Sequence, residues 1–128
     1  IGGSLPFPAG RTGLGIDVER TLRDEVAPKI RDRNNIVRVV GHSYGFEDQV
    51  DGSHLRVSFE RALAVRDFLV EECGIEAKIL RVEVAGDQEP MSPGAGGASE
   101  NRRVQVYMTD RTIDMVHPDP FGTGRNRD

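Results

Sequence analysis

The chain has 128 residues, a formal net charge of -4, 30% charged residues and 5% aromatic ones, with no Trp. That length supports one domain around one aliphatic core; it is short for an α/β-hydrolase, and the acidic balance argues against a nucleic-acid partner. No run of about 18 apolar residues is present to span a membrane, there is no signal peptide, and Cys73, standing alone, rules out an internal disulfide or a Cys-based metal site.

Residues 1–15 are rich in Gly and Pro, with a short strand expected at Leu5–Phe7 and a loop after it. The chain opens at Ile1 rather than Met, so a fragment of a longer protein is expected, its targeting segment missing. In "IDVERTLRDEVAPKIRDR" the residues Val18, Leu22, Val26 and Ile30 recur every fourth position, one face of a helix. Asp17 is the expected N-cap, and Pro28 should kink or end the helix. "NNIVRVVGH" is β-branched and reads as a strand. A loop of about ten residues follows, then "HLRVSFERALAVRDFLVEECG", the strongest helix, closed by Gly74.

"AKILRVEVAG" alternates Leu80, Val82 and Val84 against Arg81 and Glu83, a half-buried strand. "DQEPMSPGAGGASE" is a loop by composition. "NRRVQVYM" turns Val104, Val106 and Met108 inward and Arg103, Gln105 and Tyr107 outward. Residues 109–128, with Pro118, Pro120 and Gly122, read as a poorly ordered extension. The order β-α-β-α-β-β implies an α+β fold, with helices on one face of a small mixed sheet.

Two features carry functional weight. The first is "VVGHSYGFED", in which Gly41, Ser43 and Gly45 spell G-x-S-x-G, the nucleophile elbow of serine esterases. An elbow needs a helix directly after the serine, whereas here a loop runs to Ser53 or His54. The remaining triad candidates, Asp114 and His117, fall in the Pro-rich tail. Ser43 as a nucleophile is therefore the weakest reading, and a non-enzymatic domain is expected. The three histidines lack metal spacing, no cofactor is called for, and His42 reads as a loop-fixing residue.

The second feature is a charge in an apolar stripe. Val57, Arg61, Val65 and Phe68 share one face of the long helix. A guanidinium at a core edge needs an anion, because burying an unpaired charge costs several kcal/mol or more. The residues alone leave two choices: an internal salt bridge, for example to Glu47, Asp48 or Asp51, or a bidentate grip on a ligand carboxylate.

Taken together, Gly41-His42-Ser43, Val57-Ser58, Arg61-Ala62, Val65, Gly74-Ile75, Gly86-Asp87, Pro90 and Asn101-Arg102-Arg103-Val104 resemble, in order, the motifs of the OmpA-like C-terminal domain. The resemblance covers about residues 36–108, and "GGSLPFPAG" is similar to the lead-in of the MotB type. It implies a two-layer sandwich over residues 16–108, preceded by a lead-in strand and loop at 1–15. It also implies a periplasmic anchor, of MotB, Pal or OmpA type, that binds the diaminopimelate stem peptide of peptidoglycan without covalent chemistry. The membrane would be reached only through a missing N-terminal segment, and a homodimer is expected for the stator type.

In that family an aspartate after the G-H-T motif and the arginine of R-A hold the two ionised ends of the diaminopimelate. Arg61 matches the arginine, but Tyr44 stands in the aspartate's place and His54 where an Asn is common. Four readings stay open for the acid: Asp48 replaces it; Glu47 or Asp51 does; Tyr44 binds the ligand itself; or binding is lost and the fold serves as a partner-docking or dimerisation module. The candidate ligand residues are Arg61, Ser43, Tyr44, Asp48, His54, Val57 and Arg102.

Overall fold

The computed structural model describes residues 4–49, 52–88 and 101–116. Strand β1 (Ser4–Pro6) leads to a helix in three pieces: α1 (Ile16–Thr21), wider π-type turns (Leu22–Val26) and α2 (Ala27–Ile30). Strand β2 (Asn35–His42) is followed by a loop holding a 3-10 turn at Phe46–Asp48, and then by α3 (Leu55–Glu71). A second 3-10 turn at Ala77–Ile79 opens into β3 (Leu80–Gly86). The last strand, β4 (Arg103–Thr112), ends in the short helix α4 (Ile113–Val116).

Among the described residues, four strands form one mixed sheet in the order β1-β4-β2-β3. β2 and β3 run parallel, and α3 supplies the crossover that a parallel pair requires. β4 lies antiparallel between β1 and β2. One face carries Leu5, Val37, Val39, Leu80, Val104 and Val106, and these pack with Val18, Leu22, Val26 and Ile30 of the first helix and Ala62, Val65, Phe68 and Leu69 of α3. The expected α+β class, with its β-α-β-α-β-β order and helices over a mixed sheet, is what forms.

Local chemistry explains where the elements differ from expectation. Pro28 has no N–H to give and its ring crowds the carbonyl one turn back. The helix responds by widening before it, so that the Ala27 N–H reaches Leu22 O, and continues to Ile30 instead of stopping. Gly15 rather than Asp17 takes the N-cap; Asp17 sits in the first turn and pairs with Arg20 at 3.1 Å. Gly74 closes α3 as expected: it is left-handed, and the Ile75 N–H returns to Leu69 O at 3.0 Å. Val84, expected inward, is 38% exposed although Leu80 on the same edge strand is buried; its neighbour on β2 is Gly41, which has no side chain to cover it.

The strand expected to end at Met108 runs on to Thr112. There Thr109 Oγ1 donates to Ile36 O at 2.7 Å, and Ile113 N–H donates to Asn34 O at 2.9 Å. Residues 109–116 thus continue the sheet and its first helical turn, and the rest of the expected extension lies outside the described residues. Cys73 is buried, and that burial pushes its thiol pKa up. Among the described residues no helix is long and apolar enough to cross a membrane.

Candidate functional site

The charge that interrupts the apolar face of α3 is fully buried, and so is its partner. Arg61 and Asp48 each have 0% side-chain exposure. They meet as a two-pronged pair, Nη1 to Oδ2 at 2.6 Å and Nη2 to Oδ1 at 2.9 Å. The other guanidinium N–H groups go to backbone carbonyls: Nε to Arg11 O at 2.8 Å, Nη1 to His42 O at 3.1 Å and Nη2 to Pro8 O at 2.9 Å. All five donors of the guanidinium are therefore engaged. The Phe7 ring lies against it, 5.4 Å from centroid to Cζ.

Three chain segments converge here. α3 brings Arg61 from two turns inside the helix, and the 3-10 turn at Phe46–Asp48 points Asp48 inward. The loop after β1 crosses over the top. Gly10 N–H donates to Asp48 Oδ1 at 2.6 Å, and Tyr44 N–H donates to Asp48 Oδ2 at 2.9 Å. Arg102 Nε stands 3.6 Å from Asp48 Oδ2. Burial alone would raise the Asp48 pKa. The hydrogen bonds from Arg61, Tyr44 and Gly10, with the Arg61 charge, outweigh it and hold the carboxyl below its ordinary value of 3.8.

The folded carboxylate thus takes up a proton less readily than the unfolded one. Its contribution is complete above the unfolded value near 3.8 and is lost as pH falls through the lower folded value. Asp48→Asn should flatten the fall in melting temperature below about pH 4 relative to the unmutated chain. An unchanged acid limb in thermal melts from neutral pH downwards would contradict the assignment.

The remaining candidates surround this pair without all touching it. Tyr44 meets Asp48 through its backbone N–H, and its carbonyl accepts from Arg102 Nε at 2.9 Å. Arg102 also pairs with Glu47, Nη2 to Oε1 at 3.0 Å, which leaves Glu47 on the exposed side of the 3-10 turn. Asp51 lies outside the described residues. Val57 is buried one turn before Arg61. Ser43 and His54 form a separate lock: Ser43 Oγ donates to His54 O at 3.1 Å, while Ser58 Oγ lies 2.8 Å from the same carbonyl and 3.1 Å from Ser43 Oγ. The His54 ring lies 3.5 Å from Asp87.

This geometry differs from a nucleophile elbow. Ser43 is 1% exposed, and the next α-helix starts at Leu55. Asp114 follows the end of β4 that pairs with Asn35, at the opposite end of β2 from Ser43. Eight residues of strand separate the two ends, about 25 Å. His117 lies outside the described residues. Among the described residues no group of three or more His, Cys, Asp or Glu is placed to hold a metal ion.

Sequence reasoning missed the backbone groups of Pro8, Gly10, Arg11 and His42, together with the Phe7 ring. The one signal available was the Pro-Ala-Gly turn at residues 8–10, since Gly10 adopts φ +68°.

The sequence pattern of the OmpA family matches residues 7–103, from the ring beneath Arg61 to the start of β4. The chain belongs to the OmpA family. No curated protein matches it significantly. Among solved structures, the cell wall anchor of the T6SS from Pseudomonas aeruginosa is 27% identical, with a TM-score of 0.64 over 78% of this chain and 71% of that one. The C-terminal domain of Helicobacter pylori MotB is 18% identical, with a TM-score of 0.75 over 89% of each chain. The peptidoglycan-associated lipoprotein from Burkholderia pseudomallei is 17% identical, with a TM-score of 0.65 over 83% of this chain and 89% of that one. Within this OmpA-family fold, the Arg61–Asp48 pair, the Ser43–His54–Ser58 lock and Arg102 all gather where β2 ends.

Proposed function

We propose that this domain binds peptidoglycan without covalent chemistry and anchors a membrane protein to the cell wall from the periplasmic side. The observation that carries this reading is Asp48. Tyr44 occupies the place where the family resemblance calls for an aspartate, yet the 3-10 turn at Phe46–Asp48 in the loop after β2 brings another carboxylate against Arg61. An acid and a guanidinium side by side suit a ligand that presents an ammonium and a carboxylate together, as the free end of diaminopimelate does. The solved structures named for a cell wall anchor and a peptidoglycan-associated lipoprotein support the same class of ligand. The proposed tethered partner is a membrane-embedded machine of the MotB stator type. Arg61 and Asp48 would contact the ligand, with Tyr44 and Arg102 at the rim and Ser43, His54 and Val57 shaping the wall behind them.

A second reading is favoured by the complete engagement of the five Arg61 donors. There the pair is purely structural and the domain docks or dimerises with protein partners. Co-sedimentation with isolated sacculi separates the two. The anchor reading expects the domain to pellet with sacculi and to be released by a soluble muropeptide ending in diaminopimelate. A folded domain that stays in the supernatant at every sacculus concentration would end that reading.

A further inference from the structure

Resting on the anchor reading, we infer that residues 8–11 are a strap that imitates the ligand, closes the site when it is empty and must move for the wall to bind. The strap meets the charged pair with three backbone groups and no side chain. The carbonyls of Pro8 and Arg11 accept from Arg61 Nη2 and Nε at 2.9 and 2.8 Å. The amide of Gly10 donates to Asp48 Oδ1 at 2.6 Å. Two oxygens on the guanidinium and one N–H on the carboxylate reproduce, in neutral form, what a carboxylate and an ammonium would offer.

The strap is also built to leave. Pro8, Ala9, Gly10 and Arg11 are all exposed, so no buried side chain ties it down. Before it, Phe7 is fixed in the core and its N–H is bonded to Arg102 O at 2.8 Å. After it, Gly13 and Gly15 have nothing within 4 Å of a would-be Cβ. The strap can therefore swing between two points held at the core, Phe7 and Leu14, with the open space at Gly13 as its second hinge, while β1 and α1 stay in place.

The direction of exchange follows from charge. A carboxylate is a stronger acceptor for a guanidinium than an amide carbonyl is, and an ammonium a stronger donor to Asp48 than an amide N–H. A zwitterion displaces the strap, whereas water or a neutral peptide gains nothing over it. The closed population lowers the apparent affinity by the fraction of time the site is open.

Gly10→Val tests this. Gly10 lies at φ +68°, and a Cβ there would stand 3.0 Å from Glu47 O, so a β-branched residue disfavours the closed strap and leaves the open one unaffected. The folded variant should bind a soluble diaminopimelate muropeptide about five- to tenfold more tightly than the unmutated chain. Equal or weaker binding would mean that the strap is part of the binding surface, and would overturn the inference. Should the variant not fold, amide exchange in the unmutated chain decides. Saturating muropeptide must speed exchange of the Gly10 amide; unchanged or slowed exchange refutes the strap and leaves the anchor intact. If neither folded protein binds muropeptide or sacculi, the anchor reading fails and the strap inference with it.

Discussion

Replacing Arg61 by Ala should destabilise the domain by about 3–5 kcal/mol, the usual result of removing one member of a buried ion pair. The loss has two sources. Asp48, whose side chain is 0% exposed in the unmutated chain, loses its strongest partner. The carbonyls of Pro8, Arg11 and His42 lose a charged donor together; Pro8 O keeps the Arg11 N–H at 3.1 Å, but the replacing methyl offers none of the three a donor. Three contacts hold the effect within that range: the amides of Gly10 and Tyr44 still reach the Asp48 carboxylate, and Arg102 stands 3.6 Å away. The Asp48 pKa should rise in the variant, since Arg61 supplies both a hydrogen bond and a charge that lower it. Urea denaturation measures the loss directly, and a variant as stable as the unmutated chain would show that the pair is not a structural keystone. A failure of this variant to bind sacculi is informative only where its circular dichroism shows it folded, which is why competition by muropeptide is the cleaner test of function.

The sequence carried the frame and half of the site. The apolar face of α3 at Val57, Arg61, Val65 and Phe68 follows from its periodicity, and in β4 Val104 and Val106 are buried and Tyr107 is exposed as the alternation expects; Arg103, expected outward, is instead 4% exposed and donates to Gln105 Oε1 at 3.0 Å. Arg61 was visible because a charge inside an apolar stripe must be answered. Which acid answers it was not visible, because Glu47, Asp48 and Asp51 differ only in where a turn points them. The 3-10 turn at Phe46–Asp48 sends Asp48 inward and leaves Glu47 outside on Arg102. The strap was invisible for a deeper reason: it acts through carbonyls and an amide that almost every residue possesses, so no side-chain pattern encodes it. Asp17 suits an N-cap and a first helical turn alike, so its place after the Gly15 cap is not legible from the pattern, and the exposure of Val84 depends on what lies over it rather than on its alternation. Leu80, Val82 and Val84 alternate alike on one edge strand, yet Leu80 is 6% exposed and Val84, whose neighbour on β2 is Gly41, is 38% exposed.

Gly41→Ala is the second change expected to have a large effect, and it explains why this loop imitates an esterase motif. Gly41 lies in β2 between Val84 of β3 and Val104 of β4, with α3 directly over it. A Cβ at Gly41 would come within 1.9 Å of Ser58 O, 2.8 Å of Ser58 C and 3.1 Å of Ala62 Cβ. The first two are helix backbone, so no rotamer change relieves them, and α3 must lift off the sheet by more than an ångström. Overpacking of cores ordinarily costs about 1–3 kcal/mol, and a clash with helix backbone belongs at or above the top of that range. The lift would also stretch the contact between Ser58 Oγ and Ser43 Oγ, now 3.1 Å, and draw Arg61 away from Asp48. Gly13→Ala, with nothing within 4 Å, is the matched control and should be close to neutral. Equal urea midpoints for the two variants would refute this account of the close approach. The first glycine and the serine of G-x-S-x-G thus have packing reasons here: Gly41 lets α3 sit against β2, and Ser43 locks the helix start to the strand end.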